Sequence, residues 1–290
     1  MPRRRLAAAV LFAVAALVLA SAATPAQPGG RPLYFQYGKA IVAMDTGSGR
    51  LTKVVRLRAP AIDSIAVSDR YVFWVQESKP GATSLFGTLW RARRSDGRGA
   101  RPIATHVLRY GGTTVIGPWL YWIDVRGLSR VGIDGRNVQR TFIPLTIAKT
   151  DVAEGIVNDG RYLYFSRCGE GAIGRVFPDG SDLRTRFIRA GRRACPQGLG
   201  IDAGHVYWTE DGAIGRANLD GSGVEDRWLR IGSELGPYYL ASDGHTLFFN
   251  HGTSIAAGAH SYLGRVRTDG THLRRILISD PSIGPLALAP

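Results

Sequence analysis

The sequence lacks the short motifs that mark many enzyme classes. It contains no Gly-x-Ser-x-Gly nucleophile elbow, no phosphate-binding Walker loop and no dinucleotide-binding glycine fingerprint. Its six histidines show neither HxxxH nor HExxH spacing, so a zinc site is not indicated. The sequence also lacks helical periodicity, which argues against helix bundles and alternating α/β folds.

Long apolar runs are also scarce. The sequence has a single one, over residues 6–20, and it directly follows three arginines. At about 15 residues it is shorter than the roughly 20 that a membrane span needs. Ala20-Ser21-Ala22 then offers the small-x-small pattern of a cleavage site. We predict a signal peptide over residues 1–22 and a flexible leader over residues 23–31, with an uncleaved anchor as the alternative. The mature chain is expected to have no transmembrane segment and to be secreted, periplasmic or on the cell-envelope exterior.

Cysteine is limited to Cys168 and Cys195. None lies near the cleavage region, so a lipid anchor on an N-terminal cysteine is not expected. In an exported chain an even, minimal cysteine count most simply forms one disulfide. Two free buried thiols are the alternative.

Lysine is rare too, with four residues, although the formal net charge is +14. Such a charge favours nucleic-acid binding in general, but export argues against that partner, and three of the charges lie in the signal peptide. The remaining excess is almost entirely arginine. Two dense stretches, residues 91–101 and 184–193, are either solvated loops or contacts for an anionic polymer.

What the chain does have is an aromatic-rich strand repeated six times, with copies 39 to 48 residues apart. The copies are Leu33-Tyr34-Phe35, Val72-Phe73-Trp74, Leu120-Tyr121-Trp122, Leu163-Tyr164-Phe165, Val206-Tyr207-Trp208 and Leu247-Phe248-Phe249. In copies two to six a second run follows and ends in Asp-Gly, the strongest short hairpin signal, because both residues tolerate positive φ. The first copy uses residues 45–49 for the same turn.

A short run of small residues precedes copies two to six, and an extended run follows each hairpin, which makes four strands per repeat. Four short strands every 40 to 45 residues or so are typical of propeller blades. Val206, Tyr207 and Trp208 are apolar at both alternating positions, as expected for a sheet covered on both faces. We therefore predict an all-β, six-bladed β-propeller over residues 32–290, with four antiparallel strands per blade. A sandwich or open solenoid is the alternative.

The inner strand of the first copy is missing at the N-terminus, whereas Pro285-Leu286-Ala287-Leu288-Ala289 near the C-terminus resembles one. The last strand is therefore predicted to pair with the first blade. This pairing would remove two open sheet edges.

The fifth copy, Tyr207-Trp208-Thr209-Glu210 followed by residues 214–222 (Ile-Gly-Arg-Ala-Asn-Leu-Asp-Gly-Ser), resembles the YWTD repeat, also called the low-density lipoprotein receptor class B repeat. The third copy, at Tyr121-Trp122-Ile123-Asp124, is similar in part, whereas Ser166-Arg167 and Asn250-His251 depart from it. The resemblance implies a six-bladed propeller that binds proteins and carries no chemistry. The disulfide-rich modules that flank such domains in receptors are not present.

Aligning the copies places four polar residues where inner strands begin: Asp63, Glu154, Gln197 and Tyr238. In propeller lactonases a ring of carboxylate and amide oxygens at such a channel mouth holds a hard cation such as calcium. Only Asp63 and Glu154 are carboxylates, so a hydrated polar rim is the alternative. The loops after the aromatic strands should open on the same face and add further polar residues: Glu77, Asp124, Glu170, Glu210, Asp211 and His251.

These observations favour an exported, monomeric binding or scaffold protein that holds a protein or glycan partner on one propeller face, with no catalytic residue and no cofactor assigned. The competing hypothesis is a calcium-dependent hydrolase, lactonase or lyase acting at the channel mouth. Such enzymes present a near-complete ring of ligands, and this chain presents half of one.

Overall fold

Twenty-four strands form six four-stranded antiparallel sheets among the residues that the structure describes. The structure is a computed structural model, and it describes residues 30–58, 61–77, 84–145, 155–191, 194–232, 236–252 and 260–290. The predicted signal peptide and most of the predicted leader lie outside these ranges. Within them the single helical element is a 3-10 turn, Cys168–Glu170, and no helix is long and apolar enough to cross a membrane.

Each sheet is one blade of a ring, which confirms the predicted six-bladed propeller. From the inner to the outer strand, the first three blades are: blade 1, β24 Leu286–Leu288, β1 Leu33–Tyr37, β2 Ala40–Met44 and β3 Leu51–Arg56; blade 2, β4 Ile62–Val67, β5 Tyr71–Glu77, β6 Phe86–Arg93 and β7 Arg101–Leu108; blade 3, β8 Thr113–Ile116, β9 Trp119–Asp124, β10 Gly127–Gly132 and β11 Gln139–Pro144.

The remaining blades follow the same order. They are: blade 4, β12 Ile156–Asn158, β13 Leu163–Arg167, β14 Ala172–Val176 and β15 Arg184–Arg189; blade 5, β16 Leu199–Ile201, β17 His205–Glu210, β18 Ala213–Asn218 and β19 Glu225–Arg230; blade 6, β20 Leu240–Ser242, β21 Thr246–Gly252, β22 Ser261–Arg267 and β23 Arg274–Ser279. The inner strands contact one another in sequence around a central channel.

The aromatic strand of each blade is buried on both faces, as its sequence predicted. Val206 and Trp208 pack with Tyr164 of blade 4, whereas Tyr207, between them, packs with Leu247 and Phe249 of blade 6. Since side chains alternate along a strand, a single strand supplies apolar contacts to both neighbouring blades.

Glycine on the third strand allows this dense packing. Trp208 lies directly opposite Gly215, and Phe165 opposite Gly174. A Cβ atom at Gly215 or Gly174 would lie 2.3 Å from a ring atom of the opposite aromatic residue, far inside van der Waals contact. This close approach explains the Gly in the repeated Ile-Gly-Arg sequence.

The arginine of the same motif packs on aromatic rings. The guanidinium carbon of Arg175 lies 4.1 Å from the ring centre of Tyr162 and 3.9 Å from that of Phe187. In blade 5, Arg216 lies 4.7 Å from the ring centre of Trp228. Planar guanidinium groups stack on aromatic faces in this way and remain hydrogen bonded at their edges.

The Asp-Gly hairpins form, but only their glycines have positive φ, for example +95° at Gly180 and +88° at Gly221. The aspartate instead accepts a hydrogen bond from the backbone N–H two residues later, as between Asp220 Oδ1 and Ser222 at 2.9 Å. A hydrogen bond from the Ser222 hydroxyl, together with this backbone bond, lowers the pKa of Asp220. The aspartate therefore fixes the turn through its carboxylate and not through its φ angle.

Ring closure is confirmed. β24 is the inner strand of blade 1 and pairs with β1 at Leu33↔Leu288, Tyr34↔Ala287 and Phe35↔Leu286. Beyond the ladder, Arg31 Nε donates to the Ala289 carbonyl at 2.7 Å, which holds the two ends of the domain together.

We predict that deleting residues 283–290 lowers Tm by at least about 10 °C. The deletion removes buried Ile283, Leu286 and Ala289; each large apolar side chain is worth roughly 1.5–3 kcal/mol, and 1 kcal/mol shifts Tm by about 2–4 °C in a domain near this size. Thermal unfolding measures the effect, and a chain lacking only the exposed Pro290 is the control. A deletion variant that melts within a degree or two of the full chain would contradict the closure mechanism.

Candidate functional site

The ring has two faces, and each is built from its own kinds of connection. The loop face carries the loops between second and third strands and the connections from each outer strand to the next inner strand. The hairpin face carries the Asp-Gly hairpins and the turns between first and second strands. All eight residues predicted as a binding surface belong in sequence to the loop face; Glu154 lies outside the described residues.

A disulfide joins Cys168 to Cys195 on the loop face, with 4.0 Å between their Cα atoms. Cys168 begins the 3-10 turn after β13, and Cys195 lies in the connection that enters blade 5. The predicted pairing, and the prediction that these two segments are adjacent, are both confirmed. The bond ties the loop of blade 4 to the entry of blade 5.

Asp63 does not point freely into the channel mouth. Arg109 donates to both of its oxygens, from Nε to Oδ2 at 2.8 Å and from Nη2 to Oδ1 at 3.2 Å. Arg109 Nη2 also lies 2.7 Å from Glu77 Oε1. The guanidinium thus holds two carboxylates in blade 2, and all three groups are largely buried.

This arrangement does not suit calcium as it stands. Burial raises the pKa of the Asp63 carboxyl, and the Arg109 guanidinium opposes that shift. A cation at Asp63 would have to displace a guanidinium that uses both carboxylate oxygens. Among the described residues no group of three acidic, histidine or cysteine side chains is placed to hold a metal ion.

Gln197 and Tyr238 occupy the equivalent positions in blades 5 and 6. The Gln197 amide nitrogen lies 3.9 Å from the Cys195 sulfur, and Tyr238 is 40% exposed. The next residue, Tyr239, reaches across the end of blade 1, and its hydroxyl lies 3.4 Å from the Asp63 carbonyl oxygen in blade 2. Tyr239 therefore narrows the channel at the loop face.

The predicted acidic edge is largely paired with arginine. Glu170 accepts from Arg167 and from Arg186 Nε, the latter at 2.5 Å. Glu210 accepts from the Trp208 indole at 3.4 Å and lies 4.0 Å from Arg227, and burial raises its pKa.

Asp124 repeats this pattern in blade 3. It accepts from the Trp122 indole at 3.4 Å and from Arg140 at 3.3 Å. Asp211 is exposed; its backbone carbonyl accepts from Arg227 at 2.7 Å. Much of this edge therefore stabilises the blades, because it satisfies the buried indole N–H groups.

His251 is buried, with 6% of its surface exposed. Its Nε2 lies 2.7 Å from the Arg275 carbonyl oxygen, so the neutral ring donates there, and Nδ1 is buried with no hydrogen-bond partner in the described part of the chain. Burial lowers the pKa of His251. It is therefore a structural residue of blade 6 whose protonation is unfavourable.

The channel itself is a cavity of about 770 Å³ lined by all six inner strands, and it extends to the hairpin face. Three aspartates from the first turns of blades 4, 5 and 6 lie at that end, Asp159, Asp202 and Asp243, together with Arg31 and Arg161. All three are engaged. Asp159 Oδ2 accepts from Tyr164 and Asp202 Oδ2 from Tyr207, at 3.1 and 2.8 Å, and Asp243 Oδ1 accepts from the backbone N–H groups of His245 and Thr246, at 2.9 and 2.7 Å.

The convergence at the hairpin face was not among the sequence predictions, which placed convergent polar groups on the loop face alone. The available signal was an aspartate shortly after the inner strand in three successive copies, Asp159, Asp202 and Asp243. Arg109 was missed for a different reason: its role depends on a partner 46 residues away.

No family model and no curated protein sequence matches the chain. Among 570 matching chains of known structure, one from a crystal structure of a nidogen/laminin complex has a TM-score of 0.64 and 16% identity, and the alignment covers 90% of this chain and 99% of that one. At this identity the likeness shows the shared fold alone.

We predict that Cys168→Ser with Cys195→Ser lowers the free energy of unfolding by about 3 kcal/mol, because the disulfide restricts the unfolded chain over a loop of this length. Urea denaturation measures the loss. Reductant should produce a similar loss in the wild type and none in the double variant, which serves as the control. Two titratable thiols in the denatured, unreduced wild type would show that the bond is absent.

We predict that His251 makes the domain less stable as pH falls below about 6.5. Its folded pKa is lowered, so the unfolded chain binds the proton more readily and protonation favours unfolding. His251→Gln, which retains a side-chain N–H donor, should show a smaller drop in Tm between pH 7.5 and pH 5. His245→Gln, at an exposed position, is the control. Equal drops in wild type and His251→Gln would contradict the assignment.

Proposed function

We propose that this chain is an exported binding protein whose loop face holds a protein partner. The observation that carries the proposal is a set of exposed apolar side chains on that face, in the arc from the entry of blade 6 through blades 1, 2 and 3. Its members, with their exposed fractions, are Tyr238 (40%), Tyr37 (37%), Leu85 (58%), Tyr110 (47%) and Val125 (49%). We call these five residues the apolar arc.

Tyrosine predominates in the apolar arc. Tyrosine is enriched at protein interfaces because it offers a large apolar surface and a polar hydroxyl at a low cost in conformational entropy. The exposed large apolar side chains described on the hairpin face are all aliphatic, namely Leu51, Val138, Leu183 and Val224, and lie beside the outer strands.

Acidic residues on the loop face also favour this face as the binding surface. Across the ring from the apolar arc, Glu170 and Glu210 lie at the ends of the second strands of blades 4 and 5 and pair with arginines. Asp211, the next residue after Glu210, is exposed. A largely apolar contact region with polar and charged groups farther out is the usual composition of a protein interface. The nidogen/laminin structure shows a propeller of similar fold within a protein complex, and the YWTD-like sequences point to the same class of activity.

Export is supported by two independent features. The basic residues followed by a 15-residue apolar run at the N-terminus are typical of a signal peptide, and the Cys168–Cys195 disulfide suits an oxidising compartment.

To test the proposal, the partner retained by the wild-type protein from the extracellular fraction of its source is purified and its Kd measured. Tyr110→Ala with Tyr238→Ala should weaken binding at least about tenfold, because central aromatic residues commonly contribute 1–2 kcal/mol or more each. Val138→Ala with Leu183→Ala, equally exposed on the hairpin face, is the control and should stay within about twofold.

The opposite pattern, loss in the hairpin-face variant alone, would overturn the assignment of the face. A partner that resists protease and is degraded by glycosidase would show that the loop face binds a glycan and not a protein. A calcium-dependent rise in Tm that Asp63→Asn abolishes would instead favour the metal-dependent enzyme.

A further inference from the structure

Positive charge is concentrated on the outer strands of the ring. The six outer strands contain eleven Lys or Arg residues and two carboxylates. The whole chain has 37 basic and 23 acidic residues, so the ratio of basic to acidic residues is higher on the outer strands than in the chain as a whole. The six inner strands contain no basic residue and one acid, Asp63.

Several of these charges are exposed and have no hydrogen-bond or ion-pair partner within the described ranges. They are Lys53, Arg56, Arg189, Arg230 and Arg274, and we call them the basic rim. Other outer-strand arginines are engaged; Arg186 pairs with Glu170 and Arg275 donates to the Ile231 carbonyl. The basic rim is thus the part of the outer-strand positive charge that remains available to a ligand.

The basic rim follows consecutive blades. Its residues lie on blades 4, 5, 6 and 1, which adjoin because the ring is closed. Arg56, Arg189 and Arg230 occupy the same register, each opposite the alanine that begins the third strand of its blade, at Ala40, Ala172 and Ala213. Blades 4, 5 and 1 therefore carry a guanidinium group at the same position of the outer strand. Blade 6 has Ser279 at that position, opposite Tyr262, and contributes Arg274 from the other end of its outer strand.

We propose that the basic rim binds a flexible acidic polysaccharide, whose successive carboxylate or sulfate groups pair with arginines on neighbouring blades. Arginine suits such groups because its planar fork donates two parallel hydrogen bonds. A polymer with many anionic groups along its length can pair at once with cations carried by consecutive blades.

The shape of the surface favours a glycan over the other polyanions. A bilayer is flat and would meet a convex circumference at one blade at a time. Duplex DNA has a persistence length of about 150 base pairs, so wrapping it around a domain of roughly 20 Å radius costs much bending energy. A flexible glycan follows the curve, and the disulfide is consistent with an environment outside the cytosol.

The test measures the Kd of the full mature chain for polygalacturonate and for heparin, at several salt concentrations. Arg189→Glu with Arg230→Glu should weaken binding to at least one glycan at least about tenfold. It should also reduce the slope of log Kd against log salt concentration by about two, because two ion contacts are lost. The control is Arg98→Glu with Arg136→Glu, which makes the same change in net charge at exposed positions of the hairpin face. It should bind within about threefold of wild type.

Circular dichroism and Tm confirm that both variants fold. Equal weakening by the two double variants would overturn the proposal, because net charge alone would then account for binding. Tighter binding to a 20-base-pair DNA or to phosphatidylglycerol vesicles than to either glycan would also overturn it, in favour of nucleic acid or membrane. Tyr110→Ala with Tyr238→Ala should leave glycan binding unchanged, which separates the basic rim from the apolar arc.

Discussion

Each blade of this propeller has two apolar faces, and that constraint governs the rest of the structure. A sheet such as blade 5, with Trp208 buried against one neighbour and Tyr207 against the other, cannot be stable alone, because either face would be exposed to water. Six such sheets satisfy one another only when the ring is complete. The short C-terminal strand β24 is therefore as important to blade 6 as it is to blade 1, since it covers the boundary between them.

Arginine has two separate roles in this framework. Arg175 lies between two aromatic rings, Arg216 stacks on Trp228, and Arg109 holds Asp63 and Glu77 together. In these places a lysine could neither stack a planar group on a ring nor donate two parallel hydrogen bonds to one carboxylate. The arginines of the basic rim have no such internal role, and their position on the outermost strands makes them available to other molecules.

Fold, blade count, closure and the disulfide could all be predicted because each follows from a repeated spacing or from counting. The YWTD-like resemblance agrees with the fold, while membership of that family is not shown. Details that depend on a single distant partner could not be predicted. Asp63 was recognised as a polar group at an inner-strand start, but its ion pair with Arg109 joins residues 46 positions apart. Tyr239, adjacent to the predicted Tyr238, reaches Asp63 across 176 residues, and no repeat marks it.

The pairing of the chain ends has a mechanical consequence. β1 and β24 run antiparallel, and the first and last described residues leave this pair at the same end, where Arg31 contacts Ala289. A force that pulls the termini apart therefore acts on one hydrogen bond at a time, as in opening a zipper, and not on the whole ladder in shear. The ring can resist heat through its shared core and still open at low force, and it would open at blade 1 before any other blade is loaded.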